Sequence, residues 1–405
     1  MSKVLINRSL EASIKDVFRY LPVITLTGPR QSGKTTLCRE LFPELPYANL
    51  EDSATMDEVR TDPKAFLGKY PTGVIVDEAQ NYPEIFSYLQ LLVDEDRFRG
   101  RNDRHFIVTG SNNFSLMETV TQSMAGRTHV ANLLPLSTRE ILDAYPDATT
   151  SQLILRGGYP AVWTTDDSAR TTLLRSYYTT YVERDVRRLI NVRDLHAFQT
   201  FVRLAAGRVG QEFNASSISI EIGVAVNTIR AWLSILEASY IVYLLHPYYA
   251  KISKRLTKTP KLYFYDTGLA AFLLGVTTTE QLDVHPLRGN LFENMVVGNF
   301  LKHAAYHSPD DQLFFYRDKS QREVDVLRVL ADLHVEAYEV KSAQTFQPAF
   351  FATLDYLRDL LPDRITRTCV IYDGDQQNPQ LFNGFVNFRE APVIHQENPR
   401  PLDSV

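Results

Sequence analysis

The sequence predicts an α/β protein with two sheet-bearing units and helical segments between them. Three observations carry this prediction. From Val23 to about Leu136, short β-branched apolar runs alternate with amphipathic stretches, the signature of βα units on a parallel sheet. A glycine-bearing loop, Gly28–Thr36, lies directly between an apolar run and a helical stretch. A second set of strands, LFFYR, REVDVLRVL, HVEAYEVKS and TCVIYD, follows a long amphipathic helix that begins near Gly289.

With 405 residues, 44% of them hydrophobic and 22% charged, the chain exceeds one compact core, and about two to four folded units are expected. The net charge of -5 exerts no global pull on polyanions, so nucleic-acid binding would need local basic patches. Cys38 and Cys369 are far apart and lack zinc-ligand spacing, which fits a reducing compartment and argues against a structural metal. Charges interrupt the N-terminal apolar positions, and no run reaches the roughly 18 residues of a membrane span. A cytoplasmic protein without membrane contact is expected.

In the first unit, GPRQSGKTT fits G-x-x-x-x-G-K-[ST] and follows the strand-like VITLT. Gly28, Pro29, Arg30, Gln31, Ser32, Gly33, Lys34, Thr35 and Thr36 are therefore expected to cradle ATP. Lys34 would neutralise β/γ oxygens, and the Thr35 hydroxyl would ligate Mg2+ at a helix N-terminus. GVIVDEAQ places Asp77 to hold Mg2+ and Glu78 to polarise the attacking water. HFIVTGSNNF puts Ser111 or Asn112 at a strand's C-terminal end as the sensor of that water, where ordinary turn chemistry is the alternative. Arg127 is a candidate arginine finger for a neighbouring subunit, or an arginine on a solvated loop.

Residues 138–194 read as helical, interrupted by RGGYP at Arg156–Pro160. Next, NASSISIEIGVAVNTIRAWLSILEAS reads as two helices around a Gly223 turn, followed by the strands IVYLL and KLYFY, the order of a winged helix. Its second helix would turn Asn227, Thr228 and Arg230 outward and pack Ile229, Trp232, Leu233 and Leu236 inward. Between the strands, Lys251, Lys254, Arg255, Lys258 and Lys261 would meet a phosphate backbone; a protein-binding winged helix with a solvated hairpin is the alternative.

Glu293, Asp325, Glu339 and Lys341 have the spacing of the PD-(D/E)xK nuclease core. Asp325 would lie on one strand, while Glu339 and Lys341 share a face of the returning strand, because side chains alternate. Asp325 and Glu339 could then hold Mg2+, with Glu293 and Lys341 beside them. EVD and EVK also fit ordinary edge strands, so a nuclease-like fold without cleavage stays open.

In their order along the chain, GPRQSGKTTL, VIVDEAQ, VTGSNNF, AGR followed by LLPLS, RGGYP, YVERDV, YDTGLA, RGNLFEN and the late EVD and EVK resemble the bacterial and archaeal AAA-type ATPases with a DUF4143 C-terminal region. The resemblance covers residues 20–345. It implies a P-loop AAA+-like ATPase core (1–137), a winged-helix domain (195–280) and a PD-(D/E)xK nuclease-like domain (281–395), an α/β architecture in which the helical stretch 138–194 reads as a lid. A polar tail (396–405) follows and is expected to be disordered. The expected function is ATP hydrolysis coupled to remodelling or translocation of DNA by a homo-oligomer, hexameric among the forms allowed. The alternatives are a nucleotide-controlled switch that engages protein partners and an ATP-gated, Mg2+-dependent nuclease.

Overall fold

The protein is described from a computed structural model that covers residues 5–111, 120, 123–186, 194–248 and 259–390. Strands β1 (Val23–Thr27), β2 (Tyr47–Asn49), β3 (Ile75–Asp77), β4 (Phe106–Thr109) and β5 (Thr128–Asn132) form a wholly parallel sheet in the order β2-β3-β4-β1-β5. All five residues of VITLT are buried, as a strand covered on both faces requires. Alternation sends Val76 and Val108 into one apolar layer and Ile24, Ile75 and Ile107 into the other. With β1 and β4 adjacent and β3 next in line, the loop after β1 emerges beside the ends of β3 and β4, where open α/β sheets bind ligands.

Helices Thr138–Ala144, Thr150–Arg156, Pro160–Trp163 and Arg170–Tyr177 follow, the last continuing as a π-helical stretch, Tyr178–Val186. Capping boxes start the first two, Ser137 with Glu140 and Thr149 with Gln152. The RGGYP interruption is a docking element. Gly157 has φ +64°, and a Cβ there would lie 2.4 Å from Asp266 Oδ2. The Gly158 N–H donates to the same Asp266 oxygen at 2.6 Å, while Asp266 Oδ1 accepts from the Leu269 N–H at 2.6 Å and caps helix Thr267–Leu273. RGGYP and YDTGLA are thus two halves of one buried contact. Gly157→Ala should lower unfolding stability by about 2 to 6 kcal/mol, the sum of left-handed strain and overpacking; unchanged urea unfolding would refute this packing account.

The remaining chain builds one sheet from segments expected as two domains. Strands β6 (Gln211–Glu212), β7 (Val242–Pro247), β8 (Lys261–Phe264), β9 (Gln312–Arg317), β10 (Glu323–Val329), β11 (Val335–Lys341), β12 (Ile365–Tyr372) and β13 (Gly384–Asn387) lie in the order β13-β12-β11-β10-β9-β7-β8-β6. The join is the parallel pairing of β7 with β9, His246 opposite Phe314. One apolar cluster also runs from Leu136 through Phe198, Trp232 and Phe292 to Phe388, so the stretches 138–194, 195–280 and 281–395 share a core. Helix Arg288–His307 ties this half to the parallel sheet. Asn299 exchanges hydrogen bonds with Thr138, Lys302 Nζ donates to the Leu136 carbonyl at 2.8 Å, and the Tyr306 hydroxyl accepts from the Leu134 N–H at 2.9 Å. Among the described residues no single helix is long and apolar enough to cross a membrane. Cys38 and Cys369 are buried free thiols. The expected tail, 396–405, lies outside the described residues.

Candidate nucleotide site

Helix Lys34–Leu41 begins directly after Gly33, so its first N–H groups face the loop that β1 delivers. Gly28 adopts φ +140°, and a Cβ there would lie 2.3 Å from the Leu133 carbonyl oxygen, which explains why the loop needs glycine at this close approach. Lys34 is buried and its Nζ donates to the Gly28 and Pro29 carbonyls at 3.1 and 2.8 Å. Burial pushes its ammonium down to about 8, against the pull of Glu78 and Asp77. Phosphate charge acts in the opposite sense, so a bound polyphosphate favours the charged lysine.

Asp77, at the end of β3, is the hub. Its Oδ2 accepts from the Thr35 and Tyr47 hydroxyls, each at 2.7 Å, and its Oδ1 accepts from the Thr109 hydroxyl and from the Glu78 N–H at 3.0 Å. Burial, then the bond to Asp77, drives the Tyr47 phenol above its ordinary range. Thr35 and Asp77 supply the hard oxygen donors that magnesium takes, side by side, so these residues fit Mg2+. Glu78 has the left-handed φ of +57° and accepts from Gln80 Nε2. This places its carboxylate on the pocket wall with Lys34 and Thr35.

The pocket encloses about 520 Å³. It is lined by the predicted loop, including Arg30, Gln31 and Thr36, and by Ile6, Pro160, Ala161, Tyr177 and Tyr181. The Arg30 guanidinium lies 5.7 Å from the centre of the Tyr181 ring. Sequence reasoning missed Arg8, whose guanidinium donates to Ser32 O at 2.7 Å and Leu134 O at 2.6 Å and pairs with Glu140 at 3.2 Å. For Glu140 a signal existed in the Ser-x-x-Glu capping pattern at Ser137; for Arg8 there was none.

Ser111 lies just past β4, after Gly110, whose N–H donates to Leu26 O at 3.3 Å. Asn112 lies outside the described residues, and the strand-end side chain bonded to Asp77 is Thr109. Arg127, the candidate arginine finger, forms a bidentate fork with Asp94 of the same chain, its Nε and a terminal nitrogen lying 2.7 and 2.8 Å from the carboxylate.

In the second half, Asn227 and Arg230 are exposed and Thr228 half-buried, while Ile229, Trp232, Leu233 and Leu236 are buried, as the helical periodicity predicts. Lys251, Lys254, Arg255 and Lys258 lie outside the described residues. Lys261 is corrected: it is buried and turned into the C-terminal carboxylates instead of toward solvent. The chain brings Glu293, Asp325, Glu339 and Lys341 together, since Val326 pairs with Tyr338 across β10 and β11. Burial and the nearby Asp325 carboxylate raise both Glu293 and Glu339. Yet among the described residues no three acidic, His or Cys side chains are arranged around one metal position.

Residues 21–142 match a family described as an AAA domain, and residues 288–389 a domain of unknown function, DUF4143. Residues 147–280 match another domain of unknown function, DUF8612. An uncharacterized protein of Mycobacterium tuberculosis is 30% identical over 377 residues, spanning 92% of this chain and 81% of that protein. An uncharacterized protein of Haemophilus influenzae is 23% identical over 310 residues, 68% of this chain and 75% of its own length. Among solved structures, the Walker-type ATPase of Pyrococcus abyssi is similar with a TM-score of 0.47 and 13% identity, covering 66% of this chain and 96% of that one.

Proposed function

Because this chain belongs to the family of AAA-type ATPases with a DUF4143 C-terminal region and is an ATP-binding P-loop ATPase, we propose that it hydrolyses ATP to act on DNA. The observation that carries hydrolysis is the contact of Thr35 with Asp77 at 2.7 Å, with Lys34 and Glu78 on the wall of the same pocket. Thr35 and Asp77 would hold Mg2+, and the Lys34 ammonium would pair with the β/γ-phosphates. Magnesium bound with ATP supplies charge neutralisation at the phosphates. Glu78 takes the proton of the attacking water, which Ser111 or Asn112 orients. Pro160 and Tyr181, from the helical region after the sheet, line the same pocket as the phosphate loop, so these helices respond to a bound nucleotide.

DNA action rests on the order of elements from Leu195 to Phe264, which supports a winged helix, and on the exposed Asn227 and Arg230. The basic residues Lys251, Lys254, Arg255 and Lys258 add phosphate contacts. Assembly of several copies belongs to the same proposal. Leu91 and Phe98 are 66% and 93% exposed and share a helix face with Asp94, the partner of Arg127, so a second copy docking there could exchange that partner.

The deciding experiment is an ATPase assay across duplex, forked and junction DNA and RNA. Turnover should rise with DNA, fall steeply with salt, and lose its stimulation when Lys254, Arg255 and Lys258 are neutralised together. Turnover indifferent to every nucleic acid at low salt would sink the DNA reading and favour the switch for protein partners.

A further inference from the structure

Lys261 was expected on a DNA-facing wing, and its burial gives it a different chemical place. It is 2% exposed, and its ammonium lies 2.9 Å from Glu293 Oε1, 2.5 Å from Glu323 Oε1 and 3.7 Å from Asp325 Oδ1. These carboxylates come from helix Arg288–His307 and strand β10, while the lysine comes from β8, on the far side of β9 and β7 in the sheet. Tyr263, also on β8, donates to the same Glu293 oxygen at 2.5 Å. We propose that Lys261 is the built-in cation of this cluster: its ammonium takes the place a divalent metal would need, so the C-terminal carboxylates form a structural ion network and not a nuclease centre.

Several of the other ligand atoms are engaged in the same sense. Asp325 Oδ2 accepts from the Val340 N–H at 2.8 Å, Glu339 Oε1 accepts from Lys341, and Glu323 Oε2 lies 3.6 Å from Arg317. Glu339 Oε2 is buried without a hydrogen-bond partner, and one carboxylate oxygen does not make a divalent site. Free magnesium would have to shed tightly held water and displace an ammonium fixed by a strand, which loses no translational freedom on binding. The buried lysine in turn needs several carboxylates, since an unpaired charge in this interior is costly. The network therefore fastens hairpin β7/β8 to helix Arg288–His307 and to β10. The C-terminal unit becomes a rigid extension of the helical region, with no cleavage of its own.

Manganese binding to the full-length protein without nucleotide tests this independently of the ATPase reading. Wild type and Asp325→Asn should show the same Mn2+ isotherm, any binding at Thr35 and Asp77 being common to both. Lys261→Met should gain a manganese equivalent that wild type lacks, and Lys261→Met with Asp325→Asn should lose it again. A wild-type Mn2+ site that disappears in Asp325→Asn overturns the proposal, as does a folded Lys261→Met protein that gains none. Should Lys261→Met fail to fold, the comparison of wild type with Asp325→Asn decides, together with plasmid incubation in Mg2+ or Mn2+. Cleavage that depends on Asp325 would refute the proposal, and intact plasmid with matching isotherms supports it.

Discussion

Glu78→Gln should bind ATP as wild type does and turn it over about 10²- to 10⁴-fold more slowly, the range over which a positioned general base accelerates proton transfer. The substitution keeps the shape of the side chain and its place on the pocket wall, and the backbone N–H of residue 78 can still donate to Asp77. What it removes is the carboxylate that accepts the water's proton. The loop, Lys34, Thr35 and Asp77 are untouched, so equilibrium nucleotide binding should hold while single-turnover hydrolysis collapses. Normal turnover in this variant would show that another group is the base. Weakened binding with proportionate loss of turnover would instead make Glu78 a binding residue.

Arg8→Met should destabilise the protein by about 3 to 5 kcal/mol, because it leaves the buried Glu140 carboxylate without its cation. Both side chains are nearly inaccessible, 6% and 3% exposed, and Ser32 and Leu134 would lose a donor as well. Burial opposes the charge on Glu140, yet Arg8 and the Ser137 and Ser9 N–H groups hold its carboxyl below the ordinary value of 4.5. A carboxyl depressed in the folded state adds stability above its unfolded value and loses it as pH falls through the folded one. In Arg8→Met the sign reverses, since an unpaired buried carboxylate costs more as pH rises. The stability gap between wild type and variant should therefore be widest near neutral pH and narrow toward acid, as urea unfolding at several pH values would reveal. A pH-independent gap would mean that packing, not charge pairing, dominates. ATP affinity should fall in the same variant, because Arg8 braces the Ser32 carbonyl within the phosphate loop.

The phosphate loop, its strand and the acidic pair were legible because each is a local pattern. An apolar run, two glycines and Lys-Thr dictate strand, turn and helix between Val23 and Thr35, and Asp77 ends an apolar run where a parallel strand must end. The inward face of helix Val226–Ala238 was legible for the same reason, through helical periodicity. Lys261 was misread by that same local logic. It closes a basic stretch in sequence, but β8 pairs with β7 and turns its side chain to carboxylates 32 and 64 residues away. Nothing near Arg127 in sequence points to its partner Asp94 either.

By itself, then, the sequence determined the strand, phosphate-loop pattern and helix around Gly28–Thr35 and the acidic pair Asp77–Glu78 at the end of an apolar run. The tertiary structure decided what surrounds and connects them. Arg8 reaches Glu140 across 132 residues, Asp266 receives the Gly158 N–H across 108, and β7 joins β9 to merge two expected domains into one sheet. Such contacts depend on which buried charges and unpaired N–H groups meet once elements pack. That is a property of the assembled core, and no local spacing carries it.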